Sequence, residues 1–472
     1  MFLPADAELI ARETRVPGLA TVLDPEAFVA ALRESLPGAA VTGAQITYIK
    51  YRPKEKCLVG YRLDVRGTPV EAYATAYRRE AEPSLRPPAA RVPGPDPGRS
   101  GPLGVGRLLL QDQAIALSVF PNDDRLGALR LLADPVSRER LLRELLPDRP
   151  EWWSSGVARL RYKPERRYVA QLRTAGPHAV LRIYEEARFS AAGRSVGALS
   201  STGRLRLARP LGASADHHLL LYEWLSGRPL NELISEPDLD PRALAAVGAA
   251  LAEWHRQRGA PLACRSHEVE ATALAAAVRG VAAVCVHLQQ RAHALAERLA
   301  ALLARHPPGY CPIHGDFYAD QVLLAGDEVA ILDLDNAALG DPAVDLGNFA
   351  AHLENDALHG RLDVGRVKLL QNALLEGYRA STQRPVPATF WWHTAAGLLR
   401  LAPHPFRRRV RDWPERTEAI LNRVEAILDR DGLDQASRAS GVQGFRGSGP
   451  TKDEHEHEDE HELPLTSSIL NT

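Results

Sequence analysis

The sequence predicts an α+β protein of more than one domain, on three observations. Short β-branched and aromatic runs cluster in two separate regions, Ala- and Leu-rich stretches with helical spacing dominate the second half, and 472 residues suffice for two or three domains at roughly 100–200 residues each. Hydrophobic residues at 45% and charged residues at 25% are ordinary for a folded globular chain. Lys and Arg (58) balance Asp and Glu (59), so nothing points to nucleic acid or an anionic membrane as partner. Four scattered cysteines without a CxxC pair indicate a reducing compartment. With no secretory start and no long apolar run, a cytoplasmic location is expected. Nothing in the sequence specifies an oligomeric state.

Taken in order, Asp24-Pro25 followed by EAFVAALRESLPG predicts a helix capped by Asp24, with Gly38 past its end. ITYIKY (46–51), KCLVGYRL (56–63) and VEAYATAY (70–77), separated by the turn sequences RPKE and DVRGTP, predict a three-strand meander. The stretch 83–106, rich in Pro, Gly, Arg and Ala, reads as a long mobile loop. A single strand at about 107–120 and an amphipathic helix broken near Pro135 complete a first α+β domain at 1–150.

A second unit begins near Trp152. RYKPERRYVAQL (161–172) repeats the pattern of KYRPKEKCLVGY (50–61), with Tyr51-Arg52-Pro53 matching Tyr162-Lys163-Pro164. A partial repeat or a chance likeness of two strand–turn–strand units explains the match equally well. AVLRIY (179–184) and LLLYEWL (219–225) add strands and close a sheet region at 151–226. After Asp240-Pro241, Leu244, Val247, Leu251 and Trp254 fall on one helical face. Further helical stretches at 268–305, 366–381 and 387–430 fill a helical region at 227–434. The polar, acidic end at 435–472 is expected to be disordered. Its His455, His457 and His461 are weak metal ligands or a solvated tail, and Arg407-Arg408-Arg409 is an anion contact or a solvated helix start.

The chemistry lies in CPIHGDFYADQVLLAGDEVAILDLDNAALGDPAVDLGNF (311–349). Protein kinases place a base in H-R-D-x-x-x-x-N, whose Asn holds a magnesium ion, and take a second metal ligand from a following D-F-G. Here His314-Gly315-Asp316 is followed at the same offset by Gln321, and a hairpin then leads to Asp333-Leu334-Asp335. Phosphoryl transfer needs a carboxylate that orients the attacking hydroxyl and takes its proton, and oxygen ligands for Mg²⁺ on the nucleotide phosphates. Asp316 fits the first task; Gln321 and Asp333 fit the second. Asp335 is an extra ligand or a turn former.

HGDFYADQVLL with ILDLDNAALGDPAVDLG resembles the aminoglycoside phosphotransferase and choline kinase-like family. That signature runs His-Gly-Asp, Asn five residues past the Asp, an Ile-Asp-Phe/Trp strand and Gly-Asp-Pro-x-x-Asp. One position departs: Gln321 stands for the Asn, as in the maltokinases of the same superfamily, keeping the amide oxygen and adding one methylene of reach. The likeness spans about 155–430. It implies a bilobal protein-kinase-like fold, a small antiparallel-sheet lobe plus a helical lobe carrying the catalytic loop, preceded by the α+β N-terminal domain as a cap. It implies ATP-dependent phosphorylation of a small molecule's hydroxyl with Mg²⁺. Asp316 is then the base and Gln321 and Asp333 the metal ligands. His314 buttresses the loop, Gly340-Asp341-Pro342 is structural, and Asp345 accepts backbone hydrogen bonds from the loop.

In the small lobe, LLLYEWLSGRPL resembles the family's linker, where Glu223, Trp224 and Leu225 would offer backbone groups to adenine; a core strand before a Gly turn explains the same letters. Lys163, Arg166 and Arg167 lie in the turn that covers the phosphates in kinases, as phosphate-binding cations or as a solvated turn. Arg182 stands where a Lys should pair with the α- and β-phosphates, and can bind phosphate bidentately or pair with a carboxylate elsewhere. ARFSAAGRSVGALS offers it no helix Glu. The resemblance implies a sugar, amino sugar or amino alcohol as the acceptor. Gln321 and the N-terminal domain favour a sugar or other neutral polyol, and Glu354, Asp356 and Glu376 make only a modest acidic set. Arg182 keeps open a non-catalytic, nucleotide-binding pseudokinase or scaffold. A protein kinase is disfavoured, since no Ala-Pro-Glu follows Asp333.

Overall fold

The structure, a computed structural model, describes residues 3–81, 103–176, 178–307 and 309–438. Most of the expected loop at 83–106, and the tail with His455, His457 and His461, lie outside them. The chain forms two compact units, the first of Met1–Ser190, Arg209–Trp224 and Arg407–Asp412, the second of the remainder. Among the described residues no helix is long and apolar enough to cross a membrane.

In the first unit, β1 (Val41–Arg52), β2 (Lys56–Val65) and β3 (Thr68–Tyr77) form the expected meander, and β4 (Arg107–Leu110) and β5 (Ile115–Val119) complete an antiparallel sheet of order β1-β2-β3-β5-β4. The single strand expected at 107–120 is thus a hairpin. Gln111-Asp112-Gln113 forms a tight helical turn, and Ala114 at φ 50° reverses the chain. The helix Pro25–Ser35 begins where the Asp24 side chain accepts Glu26 N–H (3.1 Å), and it buries Phe28 against Tyr61, the rings stacked at 4.2 Å.

β6 (Gly156–Lys163), β7 (Arg167–Arg173) and β8 (His178–Tyr184) form a second meander. The chain leaves the first unit for β9 (Leu205–Leu207) and returns for β10 (Pro210–Ser214) and β11 (Leu219–Glu223), giving the order β6-β7-β8-β11-β10. The helix broken near Pro135 is two helices, Ala128–Ala133 and Pro135–Leu145, divided by Asp134, whose carboxylate accepts Ser137 N–H at 2.7 Å. Leu142 and Leu145 pack on Ala170, Leu172, Leu181 and Leu221 of this sheet. Arg409 is not part of a solvated helix start. It pairs with the fully buried Asp6 (Nη1–Oδ1 2.9 Å), an acid that needs such a counter-charge away from water.

The second unit is mainly helical. Leu244, Val247, Leu251 and Trp254 of the helix Arg242–His255 are buried as their spacing predicts, against Phe317, Phe349, Leu370 and Leu374. Around it run His267–Val284, Gln289–Leu303, Ala343–Leu358, Val364–Thr382, Phe390–Leu401 and Trp413–Arg438. The last helix runs to Arg438. Short strands complete the unit: β12 (Arg228–Pro229), β13 (Cys311–Ile313), the hairpin β14 (Val322–Ala325) and β15 (Glu328–Ile331), and β16 (Ala338–Gly340). β9 runs parallel to β15, and β13 pairs with β16.

The helices Arg242–His255 and Val364–Thr382 touch backbone to backbone at two glycines. A Cβ on Gly248 would run into Leu374 O, and one on Gly377 into Ala245 O. Gly248→Ala, which would raise helix propensity at an open site, should here lower stability by about 1–3 kcal/mol through overpacking, measured by urea unfolding.

Candidate active site

β13 and β16 pair antiparallel, Ile313 opposite Ala338, and so bring the loop after Ile313 beside the turn that precedes β16. Gly315 takes φ 80°, and a side chain there would collide with Asn336 O, which is why Gly stands between His314 and Asp316. Asp316 is 9% exposed. Its backbone N–H donates to His314 Nδ1 (3.3 Å), while His314 Nε2 lies 2.7 Å from Leu332 O. Only the neutral tautomer protonated at Nε2 satisfies both bonds.

Leu332 is held from both sides, because its N–H also donates to Gln321 O at 2.8 Å. The next residue is Asp333, in the left-handed conformation at φ 62°, ψ 65°, costly for a non-Gly residue and tolerated where the surroundings fix it. Asp335 lies in the helical turn Leu334–Asn336. One frame of hydrogen bonds therefore sets Asp316, Gln321 and Asp333 relative to one another. Gln321 is 3% exposed, and its Nε2 has no hydrogen-bond partner. The two ends of an amide exchange on a half-turn, so this buried end can equally present oxygen to a cation. Among the described residues no three His, Cys, Asp or Glu side chains cluster to cage a metal. A carboxylate plus one amide oxygen suits Mg²⁺, which keeps waters and takes its remaining ligands from phosphates.

Asp345, on the helix Ala343–Leu358, is fully buried and accepts His314 N–H (Oδ2, 2.7 Å) and Gly315 N–H (Oδ1, 2.8 Å). His255 Nε2 is 3.0 Å from the same Oδ2, and its Nδ1 is 3.0 Å from Tyr378 Oη. Burial alone would raise this carboxyl's pKa, but the hydrogen bond and charge of His255, with the loop N–H groups, hold it below the usual range. His255 and Tyr378 were not identified from the sequence; helical spacing marks both only as members of a buried face. Arg265 is a further addition. Its Nη1 donates to Gly315 O (3.1 Å), and its Nε pairs with buried Glu270, which Arg400 also contacts (3.2 Å). Asp341 accepts Ala343 N–H (2.9 Å) and Thr389 Oγ1–H (2.8 Å), anchoring the Gly-Asp-Pro turn.

In the first unit, Arg182 lies on β8 opposite Leu220 of β11, its guanidinium 5.7 Å from the Tyr222 ring centre. Lys163 is 6% exposed and pairs across the hairpin with Arg167, so the turn Lys163–Arg167, which includes Arg166, is not an open solvated one. The backbone N–H groups of Glu223 and Trp224 already donate to Arg209 O (3.0 Å) and His178 O (3.3 Å). In the second unit, which includes Leu225, Glu354 is bound by Arg423 through two 2.9 Å bonds, and Asp356 pairs with Arg361. Two of the three acids considered for a cationic acceptor are thus neutralised internally; Glu376 is exposed.

Burial raises Glu270's pKa, but Arg265, Arg400 and His393 overcome it and bring it down to about 2 from an ordinary 4.5. The ionised acid therefore contributes stability that is complete above pH 4.5 and lost as pH falls towards 2, roughly 3 kcal/mol in all. Thermal midpoints should fall steeply over that window in the wild type. In Glu270→Gln they should start lower, because two guanidiniums lose their counter-charge, and fall less.

Residues 149–384, half of the chain, match the phosphotransferase enzyme family. Among solved structures the chain is similar to a choline/ethanolamine kinase family protein from Mesorhizobium loti (15% identity over 65% of this chain and 100% of that one, TM-score 0.44). It is also similar to a choline kinase from Cryptosporidium parvum Iowa II (11%, 64% and 97%, TM-score 0.46). A third is a thermostable mutant of the aminoglycoside phosphotransferase APH(4)-Ia in ternary complex with ADP and hygromycin B (15%, 63% and 99%, TM-score 0.42). No curated protein matches. The matched span takes in the Asp316 loop, the Asp333 turn, Asp345 with its partners His255 and Tyr378, and the sheet β6–β11. The chain belongs to the phosphotransferase enzyme family.

Proposed function

We propose that the enzyme transfers the γ-phosphoryl group of ATP, with Mg²⁺, to a hydroxyl of a neutral small molecule, a sugar or another polyol. The observation that carries this reading is the frame through His314 and Leu332, which fixes Asp316, Gln321 and Asp333 together. Asp316 accepts the acceptor's hydroxyl proton as its oxygen bonds to the γ-phosphorus in line with the bond to ADP, which breaks; no covalent enzyme intermediate is needed. Asp333 and Gln321 would hold magnesium, which would supply positive charge against the developing charge on the phosphates. His314 keeps the loop in register, so that catalysis rests on positioning and charge.

On the nucleotide side, Arg182, Lys163, Arg166 and Arg167 are assigned to the phosphates. With the N–H groups of Glu223 and Trp224 engaged, adenine is left the Leu225 N–H and the linker carbonyls. A neutral acceptor is favoured because Glu354 and Asp356 are already paired with arginines and because Arg265 lies against the loop that carries Asp316.

Asp316→Asn should lower kcat by about 10²–10⁴-fold while Mg-ATP still raises the melting midpoint. Asp333→Ala should lose that rise. Turnover in Asp316→Asn equal to wild type, across a panel of sugars, polyols and amino sugars, would overturn the reading and favour a non-catalytic nucleotide-binding protein.

A further inference from the structure

We propose that residues 13–119 and 123–223 are two copies of one lobe, and that the first copy has become a seat fixing the second copy's phosphate-facing turn, with Asp123 as the positioning residue. The nucleotide role of that turn rests on the function proposed above; the duplication does not.

The two sheets share one strand order, β1-β2-β3-β5-β4 and β6-β7-β8-β11-β10. Each is preceded by an 11-residue helix, Pro25–Ser35 and Pro135–Leu145, that opens on an Asp-Pro pair with Asp24 or Asp134 as cap and is followed by Leu-Pro, at 36–37 and 146–147. The first hairpins close alike, Arg52 opposite Lys56 and Lys163 opposite Arg167, with Lys54 (φ 63°) and Glu165 (φ 59°) both left-handed. Lys56 then faces Tyr77, as Arg167 faces Tyr184. Arg78 N–H donates to Glu55 O (2.9 Å), as Glu185 N–H does to Arg166 O (3.1 Å).

Even the device that holds the turn is repeated. Glu13 Oε2 accepts Tyr51 Oη–H and Lys54 N–H, both at 2.7 Å, and its other oxygen takes Arg15 N–H at 3.0 Å. Asp123 Oδ2 accepts Tyr162 Oη–H (2.9 Å) and Glu165 N–H (2.8 Å), and its other oxygen takes Arg125 N–H at 2.9 Å. Strand order alone recurs among unrelated sheets. Shared caps, register, positive-φ residue and carboxylate clamp together mark a duplication.

The copies have diverged where nucleotide chemistry would lie. Val169 pairs with Arg182, and in the first copy the corresponding pair is Leu58 with Thr75, so that face lacks the cation. It is filled instead by Tyr48, Leu58 and Tyr73, on which Tyr162 of the second copy packs. Pro164 closes over Gly60, where a Cβ would sit 3.5 Å from Pro164 Cγ. Lys56 Nζ lies 3.5 Å from the Glu165 carboxylate, and Arg159 pairs with Glu71. The turn carrying Lys163, Arg166 and Arg167 is thus fastened to the first copy, and within the second copy it is held by Asp123, 1% exposed, which takes the Tyr162 Oη–H and the Glu165 N–H on one oxygen and the Arg125 and Leu126 N–H groups on the other. A turn held before the ligand arrives need not be ordered on binding, which tightens affinity.

The test is calorimetric titration of the full chain with Mg-ATP, alongside KM for the acceptor and hydrogen exchange at the Glu165 amide. Asp123→Asn puts an amide nitrogen where one oxygen accepts two hydrogens. It should raise the nucleotide Kd about tenfold, speed exchange at Glu165 and leave the acceptor KM unchanged. Tyr162→Phe, which removes one of these bonds and keeps the ring packing, should shift Kd in the same direction by less. Glu13→Gln makes the same chemical change in the first copy and should leave Kd within about twofold. Wild-type Kd in both Asp123→Asn and Tyr162→Phe overturns the positioning role while the phosphotransferase reading stands. If Asp123→Asn does not fold, Tyr162→Phe decides alone. A Glu13→Gln effect as large as that of Asp123→Asn also overturns the role, since both acids would then act only on folding. A wild-type protein that does not bind Mg-ATP overturns the nucleotide role of the turn together with the proposed function.

Discussion

The bond on which the loop of Asp316 depends is the double acceptance by Asp345 of the His314 and Gly315 N–H groups. A loop that presents side chains to a substrate has no strand or helix ladder to satisfy its own backbone, and buried N–H groups left unpaired are costly. A carboxylate on a helix packed in the core supplies two acceptor oxygens from one rigid point. Stripping Asp345 of water is unfavourable in itself, and His255, placed by the helix Arg242–His255 and backed by Tyr378, offsets that cost. The clamp therefore draws on three helices of the second unit, Arg242–His255, Ala343–Leu358 and Val364–Thr382. The glycine contacts that let the first and last of these approach closely belong to the same construction.

From that point the order passes along the chain. With the His314 backbone fixed, its ring reaches Leu332 O and dictates where the strand β15 releases the chain. Gln321 O takes the Leu332 N–H, so the residue that follows has little freedom, and Asp333 is held in a conformation it would rarely choose. Arg265 closes the other side by binding Gly315 O, with its own charge balanced by Glu270. Asp316, Gln321 and Asp333 are thus set relative to one another by short-range bonds that trace back to a single core-anchored acid.

Much of this was legible in the sequence, for a definite reason. Asp316, Gln321 and Asp333 lie within one loop and one hairpin, so the spacing that their proposed roles need is fixed by local geometry. Helices were legible from caps and apolar spacing, as at Asp24-Pro25 and at Leu244, Val247 and Leu251. What could not be read is long-range and carries no pattern of its own. His255 lies 90 positions from Asp345 and 123 from Tyr378, and in a helix a buried His or Tyr looks like any other core residue. Arg409 reaches Asp6 across 403 positions. The hairpin at 107–119 turns on Gln111-Asp112-Gln113, which lacks the Gly or Asn that usually marks so tight a reversal. The repeat was visible only at Tyr-basic-Pro, because equivalent core positions keep their burial and not their identity: Tyr61 and Leu172 fill the same place under the preceding helix.

Glu13, Asp123 and Asp345 are one solution used three times, an acid from outside a turn that gathers the donors the turn cannot satisfy. A carboxylate suits this better than an amide, because both of its oxygens accept and ionised acceptors bind more strongly. The three differ in what surrounds them. Asp345 has a histidine beside it, and its pKa falls despite complete burial. Asp123 is also buried, but its donors are backbone N–H groups and a phenol, Glu165 adds a like charge, and desolvation pushes its pKa up. Ionised Asp345 is therefore a firmly stabilised anchor and ionised Asp123 a less favourable one. Under the proposed function the same device holds the loop of Asp316 and the turn assigned to the phosphates, each in place before its ligand arrives.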